Sequence, residues 1–183
     1  MTLTLALLLA AAQPPGLDAR VEQRLAADPA LRAELADSAE HRRELVWMIG
    51  GWTVHKVRAN GTEGGGTGFG YGNSPFHGAW IQTLTTFPDG VRELRQIGYD
   101  PVGRRWISVT NDSRMNVYSL YAPGWENGRA VFEGDVVILG IQARVRQTIE
   151  RRGENEYSVT NEELLDGRWR RLDSYLYTSR PVN

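Results

Sequence analysis

The chain has 183 residues, 41% of them hydrophobic and 23% charged, which is enough to bury one good core and too little to require two. With 21 Lys and Arg against 22 Asp and Glu the formal net charge is -1, so no long-range field draws it to nucleic acid or to an anionic membrane. Cysteine is absent, which removes disulfides, thiolate metal sites and thiol nucleophiles together.

Residues 3–12 (LTLALLLAAA) form an apolar run ending in small residues, and Ala10-Ala11-Ala12 before Gln13 reads as a cleavage site. Residues 1–12 are therefore expected to be a signal peptide, placing the protein in the periplasm or outside the cell. No basic residue precedes the run, so a cytoplasmic protein with a buried N-terminal helix is the alternative. The run is too short to span a bilayer, which takes about 20 apolar residues, and no integral membrane segment is expected.

After Pro14-Pro15-Gly16, residues 17–27 and then 30–48 look helical, and together 13–49 form a helical N-terminal segment. Asp28-Pro29 marks the second start, because Asp caps free N–H groups and Pro suits the first helical position. Leu31, Leu35, Leu45 and Ile49 give this helix one apolar edge, suited to a lid or plug on something larger.

From Gly50 to the end, period-2 alternation, β-branched and aromatic residues and regularly spaced turn signals replace helical spacing. Ten strands are expected, near 52–58, 66–72, 79–87, 91–99, 104–110, 115–121, 130–137, 141–151, 157–164 and 169–179. Pro88-Asp89-Gly90, Asn127-Gly128 and Asp166-Gly167 are turn formers with a mechanism. Consecutive hairpins make an up-and-down meander, and closure removes its two unpaired edges, so residues 50–183 are read as a single antiparallel β-barrel. An open sandwich is the other possibility. The glycine-rich stretch 61–72 suggests a hairpin tip followed by a strand that another backbone approaches closely.

Turn register nominates a binding face. A two-residue turn at Asp89-Gly90 sets Leu84 against Arg95 and Trp80 against Tyr99, and the next turn sets Ile97 against Trp106. One face then carries Trp80, Leu84, Glu93, Arg95, Ile97, Tyr99, Trp106 and Thr110, with Ile81, Leu94, Ile107 and Val109 on the other. Taking the aromatic face as the lumen makes Trp80, Glu93, Arg95, Tyr99, Trp106 and Thr110 the candidate ligand-binding residues; the alternative, which a single bulge would produce, is that the aliphatic face is the core and the Trp face half-exposed. Glu93 and Arg95 would hold the polar end of a ligand whose body lies on two Trp rings. Farther along, Ile141, Ala143, Val145 and Ile149 should face inward, and Arg146, Glu162 and Arg171 should form an outer charge ladder.

Gly50-Gly51-Trp52 at the start of the first strand is similar to the G-x-W opening of lipocalins and related calycins. Together with Gly78-Ala79-Trp80, Gly98-Tyr99-Asp100-Pro101, Asp112-Ser113, Gly167-Arg168-Trp169 and Tyr177 to Arg180, it resembles a bacterial domain-of-unknown-function family of calycin-like barrels, distantly similar to nitrobindins, over about residues 40–180. That family shows Trp-x-Asp-Ser where this chain has Thr110-Asn111-Asp112-Ser113, and it carries no agreed activity. The resemblance implies that Trp52 closes one barrel end against a basic residue from the chain terminus, here Arg180. Nitrobindin-like barrels hold haem through a late His, whereas His41, His55 and His77 are all early, so no cofactor is expected and no metal.

A nucleophile elbow, a phosphate loop and a zinc-binding helix are all missing. The expected function is a barrel binding a small amphipathic or weakly acidic organic ligand in its lumen. The alternatives are an enzyme using Glu93, Asp112 or Asp173 as acid or base, and a structural or interaction barrel with a filled interior.

Overall fold

The computed structural model describes residues 16–36, 38–58, 62–74 and 80–180. The leader-like residues 1–12, His77 and the Gly78-Ala79 pair lie outside them. Helix α1 (Leu17–Ala27) is followed by α2 (Pro29–Ala36), α3 (Ser38–Arg43) and a short 3-10 turn (Val46–Met48). The Asp28 carboxylate accepts the backbone N–H of Leu31 at 3.0 Å, so α2 starts where the Asp-Pro pair indicated. The expected long second helix is broken into pieces. Among the described residues of this segment only Leu31, Leu45 and Met48 are buried apolar residues, too few to hold a continuous helix on the barrel. No helix among the described residues is long and apolar enough to cross a membrane.

Ten antiparallel strands follow: β1 (Gly50–Val57), β2 (Glu63–Asn73), β3 (Trp80–Thr86), β4 (Arg92–Asp100), β5 (Arg105–Asp112), β6 (Val117–Ala122), β7 (Arg129–Ile138), β8 (Ile141–Arg151), β9 (Glu156–Leu165) and β10 (Arg168–Ser179). Each pairs with the next and β10 pairs with β1, which closes the barrel. Closure satisfies every sheet edge, as the meander required.

The inward rows follow from alternation. On β2 the inward positions opposite Trp52 and Val54 are Gly70 and Gly68. A Cβ on Gly68 would strike the Thr86 carbonyl, and one on Gly72 would strike that of Met48. This is the close backbone approach that the glycine-rich stretch suggested.

Register corrects one face. Phe87 and Val91 are joined by a hydrogen bond of 2.8 Å, and Gly90 has φ +84°, so the β3–β4 loop is three residues, Pro88-Asp89-Gly90, and not two. Thr83, not Leu84, therefore stands opposite Arg95, and Leu84 stands opposite Leu94. A one-residue slip exchanges the faces. Trp80 and Leu84 move to the outer wall, while Ile81, Thr83 and Thr85 turn inward and are buried. Between β4 and β5 the observed pairs are Ile97 with Ser108 and Tyr99 with Trp106. That differs from expectation by two positions and preserves the face.

Candidate functional site

The lumen divides into two halves. At the end where β1 begins, aromatic rings fill it. Trp52 lies edge-on to Tyr157 at 4.8 Å, and its indole N–H donates to the Met48 carbonyl at 3.0 Å. Tyr157 stacks on Tyr177 at 4.3 Å, and Trp47 meets both Tyr157 and Trp125 edge-on. Trp125 continues to Trp106, Trp106 to Tyr99, and His41 of α3 stacks on Tyr99 at 3.8 Å. Tyr99 and Trp106 do face inward, but they belong to this sealed cluster.

Arg180 sits at the same end as Trp52 on the other side of the wall. Ser179 is the residue opposite Trp52, so its neighbour Arg180 points outward. Its guanidinium lies over Phe69 at 4.1 Å, and its Nε donates to Thr53 Oγ1 at 3.2 Å. The expected stack of Arg180 on Trp52 is not formed.

Below the aromatic layer the lumen becomes polar. Across β3, β4 and β5, Thr83, Arg95 and Thr110 form one inward row, and Thr85, Glu93 and Asp112 form the next. Arg95 is only 2% exposed, and its Nη2 donates to Glu93 Oε1 at 2.5 Å. Burial pushes the Glu93 carboxyl up and Arg95 pulls it down; Asp173 and Asp112 add to the upward push, and the net is above the usual carboxylate range. Burial works against the Arg95 cation and the Glu93 carboxylate beside it works for it, with the net above the ordinary guanidinium range, so Arg95 stays charged. Tyr118 beside them is pushed up to about 12, mainly by burial.

Asp173 reaches this region through a β-bulge. Arg171 stands opposite Glu162 and Asp173 opposite Asn161, so β10 carries one extra residue at Leu172. The extra residue turns Asp173 from the outer row of Arg171 to the inner row of Tyr175 and Tyr177. Asp173 Oδ1 accepts from Asn161 Nδ2 at 2.6 Å, and Asn161 Oδ1 accepts from Gln147 Nε2 at 2.8 Å. Burial raises the Asp173 carboxyl, against the Asn161 hydrogen bond and the charges of Lys56 and Arg95. Asp112 is committed elsewhere: its carboxylate accepts the backbone N–H groups of Arg114 and Asn116 and the Asn116 side-chain amide, shaping the β5–β6 turn.

Tyr118, Leu120, Arg146, Gln147, Asn161 and Asp173 are among the residues lining a recess of about 120 Å³. A wider hollow of about 680 Å³ lies on the outer wall around Arg105, Tyr121, Glu133 and Arg144. Its charged groups already have partners, with Arg144 on Glu133 and Asp135 and Arg105 over Tyr121, so the lumen is the stronger site. In the polar half of the lumen Arg95 Nε, Ser108 Oγ and Gln147 Oε1 are buried without a hydrogen-bond partner in the protein, as Trp125 Nε1 is in the aromatic half, while Thr110 Oγ1 lies against the Tyr118 hydroxyl.

Of the sequence-nominated residues, the fold brings Glu93, Arg95 and Thr110 together, places Tyr99 and Trp106 in the aromatic end and puts Trp80 outside. Reading the sequence missed Tyr118, Gln147 and Asn161. Gln147 was visible as a polar residue within the inward aliphatic row of β8, between Val145 and Ile149. Among the described residues no group of three or more His, Asp or Glu side chains is placed to hold a metal ion. Compared with models of known protein families the chain matches none, and no curated protein is significantly similar to it in sequence.

Proposed function

We propose that the barrel binds a small polar organic molecule in the lumen, between the Glu93–Arg95 pair and the Asp173–Asn161–Gln147 chain. The observation that carries this is the set of buried polar atoms without a partner in the protein. Nine in ten or more buried polar groups are normally paired, and each one left unpaired costs about 1–3 kcal/mol. Three of them, Arg95 Nε, Ser108 Oγ and Gln147 Oε1, around one polar lumen call for an occupant. The expected amphipathic ligand narrows accordingly. With Trp80 outside and Trp106 in the sealed cluster no indole shelf remains for an apolar body, and a recess of about 120 Å³ is below the usual ligand pocket of roughly 300–1,000 Å³.

Native mass spectrometry of protein purified gently from its host tests this reading. A small adduct, lost on acid denaturation, is the expected result. No adduct, together with a crystal structure whose lumen holds only side chains, would favour the structural barrel instead. A catalytic reading has one observation behind it, the two inward carboxyls Glu93 and Asp173, both raised by burial. It requires the adduct's mass to change on incubation with the intact protein and to persist with Glu93→Gln. Export and kinship with nitrobindin-like barrels rest on the sequence alone. Cleavage after Ala12 in protein recovered from the host would support export.

A further inference from the structure

The recess has a direction of hydrogen bonding, and that direction selects a ligand class. An ionised Asp173 can only accept, so Asn161 must turn its NH2 group towards it, as the 2.6 Å contact has it. Asn161 Oδ1 then faces β8 and takes the Gln147 NH2 at 2.8 Å. Gln147 is left with its acceptor, Oε1, buried and unpaired in a side chain only 1% exposed. The carboxylate thus orients two amides in series and fixes the free end as an acceptor.

The charges agree with that polarity. Arg95, the buried cation of the lumen, is already matched by Glu93 at 2.5 Å. Among the described residues Asp173 has one hydrogen bond, from Asn161; Lys56 acts on it only through its charge, from the exposed rim of β1. Arg146 also lines the recess but is paired with Glu162 at 2.8 Å, so Asp173 is the charged group there without an ion-pair partner. A cation would complete Asp173.

We propose that this recess takes a small primary amine as its ammonium ion, its N–H groups shared among Gln147 Oε1, the Asp173 carboxylate and the Tyr118 hydroxyl. An ammonium has three donors and no acceptor, matching three acceptors that line one recess. At roughly 30 Å³ per water the space suits a molecule of about four heavy atoms. The assignment rests on the lumenal binding reading and narrows it to one charge type.

The test is a titration of the full-length protein with ethanolamine, acetamide and propionate at matched ionic strength near neutral pH, read by affinity and by the Gln147 and Asn161 side-chain amide resonances. Ethanolamine should saturate and shift both amides, and the other two should not. Asp173→Asn should weaken ethanolamine binding about ten- to a hundred-fold. Lys56→Gln, an exposed change that leaves the fold alone, should tighten it by removing a competing cation. Propionate or acetamide binding in place of ethanolamine would overturn the amine assignment and leave the lumenal site standing. Binding of none of the three, with no adduct on the native protein, would overturn both. Unchanged ethanolamine affinity in Lys56→Gln and Asp173→Asn would also overturn the assignment.

Discussion

The two ends of the barrel are built from the same alternating strands and solve opposite problems. Where β1 begins, Trp52, Trp106, Trp125, Tyr157 and Tyr177 interlock beneath α3 and the 3-10 turn, and the rings leave little room for anything else. Towards the other end the inward rows carry Glu93, Arg95, Gln147, Asn161 and Asp173, with space beside them. Aromatic burial is non-directional and tolerates a filled interior, whereas each buried polar atom needs a partner of the right kind. One end stabilises the closed meander, and the other is free to specialise.

The largest effects should follow from substitutions that break either half. Trp52→Ala removes a ring packed on Tyr157 and a hydrogen bond to Met48, and should cost about 3–5 kcal/mol, lowering Tm by roughly 10 °C in thermal denaturation. Glu93→Ala should cost about as much for a different reason: it leaves Arg95 charged and unpaired in the lumen. The comparison sharpens when both members of the pair are replaced. Glu93→Leu with Arg95→Met should restore most of the lost stability, an outcome without parallel at the aromatic end, where a second truncation only adds to the damage.

A smaller effect is expected from pH. Glu93 and Asp173 hold protons more tightly in the folded than in the unfolded chain, because burial disfavours their charged forms. The stability they contribute is fully present below the ordinary carboxylate pKa and is lost as pH rises through the raised values. Urea midpoints should therefore fall more steeply above about pH 4 in the native protein than in Asp173→Asn. A steeper fall in the variant would contradict the placement of Asp173 in the lumen. The smallest change should come from Arg180→Ala. Its guanidinium lies on the exposed Phe69 outside the wall, so about 0.5–1 kcal/mol is at stake, far below Trp52.

The closed meander was legible because its evidence is distributed: each hairpin carries its own turn residues and alternation, and one misplaced turn leaves the rest intact. The pairing of Arg146 with Glu162 and of Glu162 with Arg171 was readable for that reason. The faces of single strands were less secure, since one residue more or less reverses them. Counting the β3–β4 loop as two residues put Trp80 inside, and its actual three residues put Thr83 and Thr85 there. The bulge at Leu172 likewise turned Asp173 inward without a glycine or proline to announce it. Arg180 lies at the rim that the resemblance implied but on the outer face, because Ser179 and not Arg180 is the residue in register with Trp52. The family of aromatic contacts at the sealed end depends on α3 and the 3-10 turn folding over the rim, which strand periodicity does not encode.

On the proposed reading the polar half of the lumen holds a molecule while the aromatic half is solid. A high-resolution crystal structure of the protein purified from its host tests it most directly. The expected result is non-protein density among Tyr118, Gln147, Asn161 and Asp173, with Gln147 Oε1 accepting a hydrogen bond from it, and unbroken packing around Trp52, Trp125 and Tyr157. A recess closed by its own side chains, or a ligand lodged between the aromatic rings instead, would contradict it.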